Sequence, residues 1–295
     1  MWPPKMIRHN DKFLRGLKRT NMSKKKQKPP LPILPAGVCA IDSHCHLDMD
    51  DYTDDCGAVI ERAVTAGVKK IMTIGTDLPS SAAALDLARQ HPALSCSVGI
   101  HPHSAVALHE DVYGQIAALA GNKEVRAIGE IGLDYAGGHV PKDAQITLFR
   151  RQLELAKSLE LPVIIHDREA HDDVMDILRE FTPFSAGGVI HCFSGDHLLA
   201  QEVIALGFYI SVTGVVTFKK AQMLQDAVKS IPLESLLIET DGPFLTPTPY
   251  RGKRNEPAYV LYTAQKIAEL KGISLEDLLR QVTTNTEKLF GLESV

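Results

Sequence analysis

The chain of 295 residues is 44% hydrophobic and 23% charged, enough apolar material for one large core and too even a mixture for a fibrous, collagen-like or wholly disordered protein. No stretch approaches the roughly 18 uninterrupted apolar residues of a membrane span, and the N-terminus lacks the apolar segment of a secretory signal, so the expectation is a cytoplasmic protein. The net charge of −4 is unevenly spread: residues 1–37 hold ten Lys or Arg against one acid, Asp11, and residues 38–295 hold 22 basic and 35 acidic side chains, or −13.

The first 37 residues, basic and with six prolines, have too few spaced apolar positions to build a core and read as a disordered tail that could tether an anionic surface. Five cysteines, at 39, 45, 56, 96 and 192, follow neither zinc-ribbon spacing nor the density of a disulfide scaffold, and read as reduced thiols.

From Cys39 onward eight short apolar or β-branched runs follow one another. They are CAIDSHCHL (39–47), VKKIMTIGT (68–76), LSCSVGIHP (94–102), VRAIGEIGLD (125–134), PVIIHDR (162–168), GGVIHCFSG (187–195), GFYISVTG (207–214) and SLLIETDGP (235–243). Between them lie segments with helical apolar spacing, such as 58–66, 146–159, 174–181 and 198–206. Eight strand–helix alternations in about 258 residues predict an α/β fold, a single closed (β/α)8 TIM barrel over 38–295. No phosphate-binding glycine string follows a strand, which disfavours an open nucleotide-binding sheet. Residues 256–270 and 275–290 read as two closing helices, the second stopped by Gly291.

His44, His46, His101, His103, His166 and His191 all fall at or just after the C-terminal ends of these runs, together with Glu130, Asp134, Glu239 and Asp241. In a (β/α)8 barrel those ends converge on one mouth. His44 and His46, two apart on a strand, point to the same face and can grip one ion, with Asp42 one step deeper. Taken singly, each residue is as well explained as a capping carboxylate or a core histidine. Together, four imidazoles with Glu130 and Asp241 suit Zn2+, Mn2+ or Mg2+, and suffice for two divalent ions if one carboxylate bridges.

The strings DSHCHLD (42–48), GIHPH (99–103), AIGEIGLDY (127–135), LPVIIHDREA (161–170), GVIHCFSG (188–195), LLIETDGPFLTP (236–247) and YRGKRNEPAYV (250–260) resemble, in order and across the whole barrel, the TatD family of metal-dependent deoxyribonucleases in the amidohydrolase superfamily. The basic tail lies outside the family pattern, as does Ala136-Gly137-Gly138, where relatives commonly carry a second aromatic after Tyr135. The resemblance implies that His44 and His46 bind one ion with Glu130 and Asp241, and that Glu130 bridges to a second held by His166 and His191. It also implies that Asp241 acts as general base, making Asp241 and Glu130 the catalytic carboxylates.

Phosphate recognition needs cations near the mouth, and Arg168, Arg251 and Arg254 are the candidates. His101 and His103 are expected to contact substrate phosphate rather than metal, Asp134 to orient a neighbour and Glu239 to support a ligand. The charge of −13 argues against broad binding to duplex DNA and fits engagement of a strand end. With the family resemblance, the expectation is a 3′–5′ exonuclease-like DNase acting on single-stranded DNA. An ester or amide hydrolase such as a D-aminoacyl-tRNA deacylase keeps the same metals, and a non-catalytic nucleic-acid binder using the tail is the reading from another class.

Overall fold

The computed structural model describes residues 29–105, 111–138 and 140–295. Most of the expected tail lies outside the described residues; within 29–37 the chain is irregular, with Leu31 and Leu34 packed on the barrel and the Tyr262 hydroxyl donating to the Pro29 carbonyl at 2.9 Å.

Eight parallel strands form one sheet in sequential order: β1 (Ala40–Cys45), β2 (Val68–Ile74), β3 (Leu94–Val98), β4 (Val125–Asp134), β5 (Val163–Arg168), β6 (Gly188–Ile190), β7 (Tyr209–Val212) and β8 (Leu236–Ile238). The helices outside them are α1 (Cys56–Ala66), α2 (Leu78–Gln90), α3 (Val112–Ala120), α4 (Lys142–Leu159), α5 (His171–Phe181), α6 (His197–Ala205), α7 (Gln222–Ser230), α8 (Val260–Lys271) and α9 (Leu275–Phe290). This is the (β/α)8 TIM barrel. Among the described residues no helix is long and apolar enough to cross a membrane.

Strand alternation divides the core in two. One set of side chains, including Ile71, Ile128, Ile131, Val163 and Ile165, packs in the layer between strands and helices, while Met72, Ala127, Ile164, Val189 and Leu237 meet inside the barrel, closed below by Leu289 and Phe290 of α9. Local signals set the ends of that helix: the Ser274 hydroxyl accepts the Asp277 N–H at 3.0 Å, and Gly291 adopts a left-handed φ of 58°.

The seam between β8 and β1 is closed at its mouth end, partly through side chains. The buried Asp42 carboxylate accepts the Thr240 N–H at 2.9 Å and the Thr240 hydroxyl at 2.6 Å, and the Ser43 hydroxyl donates to the Ile238 carbonyl at 3.0 Å. Just beyond, the backbone N–H of Asp241 donates to His44 and that of His46 to Gly242, at 2.9 and 2.7 Å.

Candidate metal centre

Inward parity carries the chemistry to the mouth. Ile164 fills the barrel interior, so His166, two residues on, projects inward at the rim; Val189 and Leu237 place His191 and Glu239 in the same way. Glu130 needs a further device. Ile128 and Ile131 both face the outer layer although three residues separate them, and the β4–β5 register shifts between them. The extra residue turns Glu130 inward. Glycines flank it because a Cβ at Gly132, where φ is 142°, would collide with the His166 backbone, and one at Gly129 would come within 2.6 Å of the Ile164 Cβ.

Two groups of ligand atoms result, joined through Glu130. In the first, His44 Nε2 and His46 Nε2 face each other at 3.2 Å; Glu130 Oε2 lies 3.5 and 3.7 Å from them, and Asp241 Oδ1 lies 3.7 and 3.4 Å away. In the second, Glu130 Oε1 is 2.7 Å from His166 Nδ1 and 2.8 Å from His191 Nε2, and those nitrogens are 3.2 Å apart. Each carboxylate oxygen of Glu130 therefore serves one group. His44 stacks on His191, with ring centroids 3.9 Å apart, which packs the two groups together.

The donor set fits divalent cations. Basic nitrogens converge on one another and on ionised carboxylates, an arrangement of mixed N and O ligands suited to Zn2+, Mn2+ or Mg2+. One of the four histidines has its outer ring atom hydrogen-bonded as a metal ligand's usually is: His166 Nε2 faces Asp134 Oδ2 at 3.2 Å; His191 Nδ1 lies 3.4 Å from Glu239 Oε1 without hydrogen-bond geometry. Glu239 Oε1 accepts the Cys192 N–H at 2.6 Å. His44 Nδ1 and His46 Nδ1 are buried without a hydrogen-bond partner.

Electrostatics agree with the geometry. Burial would raise the Glu130 carboxyl, but His191, His101 and His166 outweigh it and hold the group well below the usual carboxylate range; Asp241 is lowered too, by His46 and His44 against burial. Burial opposes charge on His46, His166 and His191, yet the surrounding carboxylates win and raise all three. Burial lowers His44, with His191 adding to the effect. Burial also drives His101 down to about 3, leaving it neutral, whereas Asp134 is held at about 2 by His166 and His103 against burial.

His101 and His103 stand beside the second group in different roles. His101 Nδ1 accepts the His103 backbone N–H at 3.1 Å, so the neutral ring carries its proton on Nε2, which points toward Glu130 Oε1 at 3.6 Å. That atom is a hydrogen-bond donor rather than a lone pair. His103, half exposed, reaches Asp134 Oδ2 at 2.9 Å. Arg168 also arrives at the lip, 3.9 Å from the same oxygen. The other two arginines stand elsewhere: Arg254 forms a bidentate pair with Asp55 at 2.8 Å and donates to the Asp51 carbonyl, while Arg251 lies over the Phe218 ring at 4.3 Å. Phe244, unremarked in the sequence, lies edge-on to His46, with ring centroids 6.3 Å apart. His46, His101, Glu130, His166, His191 and Asp241, with Arg168 and Phe244, line a cleft of about 940 Å3.

Residues 41–291 match the family described as TatD related DNase. The chain belongs to the TatD family. Among TatD relatives it is 44% identical over 249 residues to YabD of Bacillus subtilis, named a metal-dependent hydrolase, covering 84% of this chain and 98% of that one. It is 37% identical over 256 residues to a Citrobacter rodentium protein named 3′-5′ ssDNA/RNA exonuclease TatD, covering 85% and 97%. The crystal structure of the Escherichia coli TatD homologue YJJV superposes with a TM-score of 0.82 at 32% identity, over 86% of this chain and 98% of that one.

Proposed function

We propose that this TatD-family chain is a divalent-metal-dependent hydrolase of phosphodiesters that shortens single-stranded DNA from an end. The observation that carries the reading is Glu130, whose two oxygens serve two nitrogen-rich groups at one rim. His44, His46 and Asp241 on one side and His166 and His191 on the other would hold two divalent ions there, which would make hydroxide available near neutral pH and offset charge on the attacking and leaving oxygens.

The chain's own residues complete the chemistry. Asp241, less buried than Glu130 and open to the cleft, is placed to take a proton from the attacking water. His101 donates from Nε2 to a phosphate oxygen, and Arg168 draws the anionic strand to the lip. A cleft of about 940 Å3 in a body of net charge −13 suits one or two nucleotides better than a duplex. The Citrobacter relative's name supports the 3′–5′ direction and leaves RNA as a companion substrate.

The test is hydrolysis of a 5′-labelled single-stranded oligonucleotide with Mg2+ or Mn2+, beside an EDTA control and Glu130→Ala. A ladder of shortened products that needs both metal and Glu130 supports the reading. An intact oligonucleotide with metal demonstrably bound overturns it in favour of an ester or amide bond, with D-aminoacyl-tRNA the next substrate to assay.

A further inference from the structure

We infer that Phe244 is the base-stacking platform of the cleft, fixing which nucleotide of a single strand lies at the cation-binding groups. The inference rests on the nucleic-acid reading above and adds a specificity-determining residue to it. Phe244 is 49% exposed, although the backbone that carries it is firmly held. Its backbone is tied on both sides: its N–H donates to the Asp241 carbonyl at 2.8 Å and its carbonyl accepts the Asn255 side-chain amide at 2.6 Å. Asn255 is fully buried, donates from the same amide to Thr240 and has its own carbonyl hydrogen-bonded by Tyr52. The ring is thus offered to solvent from a rigid support, and burial of its apolar face awaits a ligand.

The walls of the cleft differ in chemistry. Phe244, Leu245, Met49 and Val215 line one part, while His103 and Arg168 line another. A nucleotide matches that division, with its base toward the apolar part and its phosphate toward the Arg168 guanidinium, which shares its part of the rim with the Asp134 carboxylate. Among the described residues that line the cleft, Phe244 is the one phenylalanine, tyrosine or tryptophan, and its ring lies edge-on to His46. Because Asp241 and Phe244 share one hydrogen-bonded turn, a base stacked on the ring sits at a fixed offset from the reacting phosphate. Stacking is tolerant of base identity, so the platform reads the presence of a base and not its sequence.

The experiment compares oligonucleotides whose 3′-terminal residues carry bases with oligonucleotides carrying tetrahydrofuran abasic residues there, cleaved by wild type, Phe244→Ala, Phe244→Leu and Phe244→Trp. The wild-type preference in kcat/KM for the base-bearing substrate should fall about 5- to 150-fold in the Ala and Leu variants, through KM more than kcat, and return with Trp. Equal losses on both substrates, or no loss, would overturn the inference. If wild type cleaves neither oligonucleotide, the nuclease reading has failed and binding decides separately: fluorescence of a 3′-terminal 2-aminopurine should be quenched by wild type and not by Phe244→Leu, and equal quenching by both refutes the platform.

Discussion

The Oδ2 atom of Asp134 lies 3.2 Å from Nε2 of His166, the opposite side of the ring from the nitrogen that meets Glu130. The ring is thereby held in the tautomer whose Nδ1 lone pair faces the second cation group. Asp134→Asn should lower affinity for a divalent ion at the second group by about 10- to 100-fold. Titration calorimetry with Mn2+ checks this; unchanged affinity removes Asp134 from the site's support.

Glu130→Gln tests the bridge. The amide retains one acceptor oxygen, so bound metal should drop from two equivalents to one by elemental analysis, and turnover should fall on the order of 10^3-fold, several kcal/mol of lost charge stabilisation. Two tightly bound equivalents in the variant would show that the groups bind independently.

The histidine shifts predict how the metal-free protein answers to pH. His46, His166 and His191 have raised values in the fold, so their pairing with carboxylates stabilises fully below the ordinary imidazole value and is lost as pH rises through the raised ones. The melting temperature of EDTA-treated protein should therefore decline from about pH 6 upward, and Mn2+ should abolish the decline by replacing the departing protons. Binding at about pH 6.5 should release protons, seen as a buffer-dependent enthalpy. A metal-free Tm that rises over this range would contradict the assignment.

Two arginines separate by location. Arg168→Ala should raise KM for an oligonucleotide about 5- to 10-fold, since a charged hydrogen bond to phosphate is worth about 1 to 1.5 kcal/mol at an exposed lip. Arg254→Ala should instead act on stability, by about 0.5 to 1 kcal/mol in urea denaturation, because its guanidinium is occupied by Asp55 and lies 4.9 Å from the centre of the Tyr52 ring. A KM effect from Arg254 larger than that from Arg168 would reverse these roles.

Thr240→Val probes the seam. It leaves an oxygen of the fully buried Asp42 without its partner and should cost about 1 to 3 kcal/mol, read as a lower urea midpoint at unchanged slope.

The sequence made the barrel legible because strand runs and helical spacing alternate, and where end signals are local the boundaries coincide, as in β4 and in α9 between Ser274 and Gly291. The sixth run was too long: only Gly188–Ile190 pairs as strand, because the chain then turns, with Cys192 at a left-handed φ of 47° and its N–H drawn to Glu239. That carboxylate is 47 residues away, so no local pattern reports it. Histidines at strand ends were readable by parity. Glu130 was placed at the mouth by its strand, but its inward aim was not legible by parity, since strict alternation from Ile128 would turn it outward, although paired glycines around it were a usable sign of a bulge. Arg254 showed the converse problem: a basic loop residue is legible, but its engagement by Asp55, 199 residues earlier, is not.

The first cation group draws its ligands from the two edges of the sheet, His44 and His46 following one edge and Asp241 the other, beside a seam whose partners lie 198 residues apart in sequence. An ion bound there would cross-link the first and last strands of the barrel. Its loop spans nearly the whole barrel, so the entropy it removes from the unfolded ensemble is close to the largest a single link in this chain could remove. The hydrogen bonds of the seam already hold the cylinder closed, so an ion loaded there would be a second clasp over the same gap, one that a chain cut short before Asp241 could not fasten.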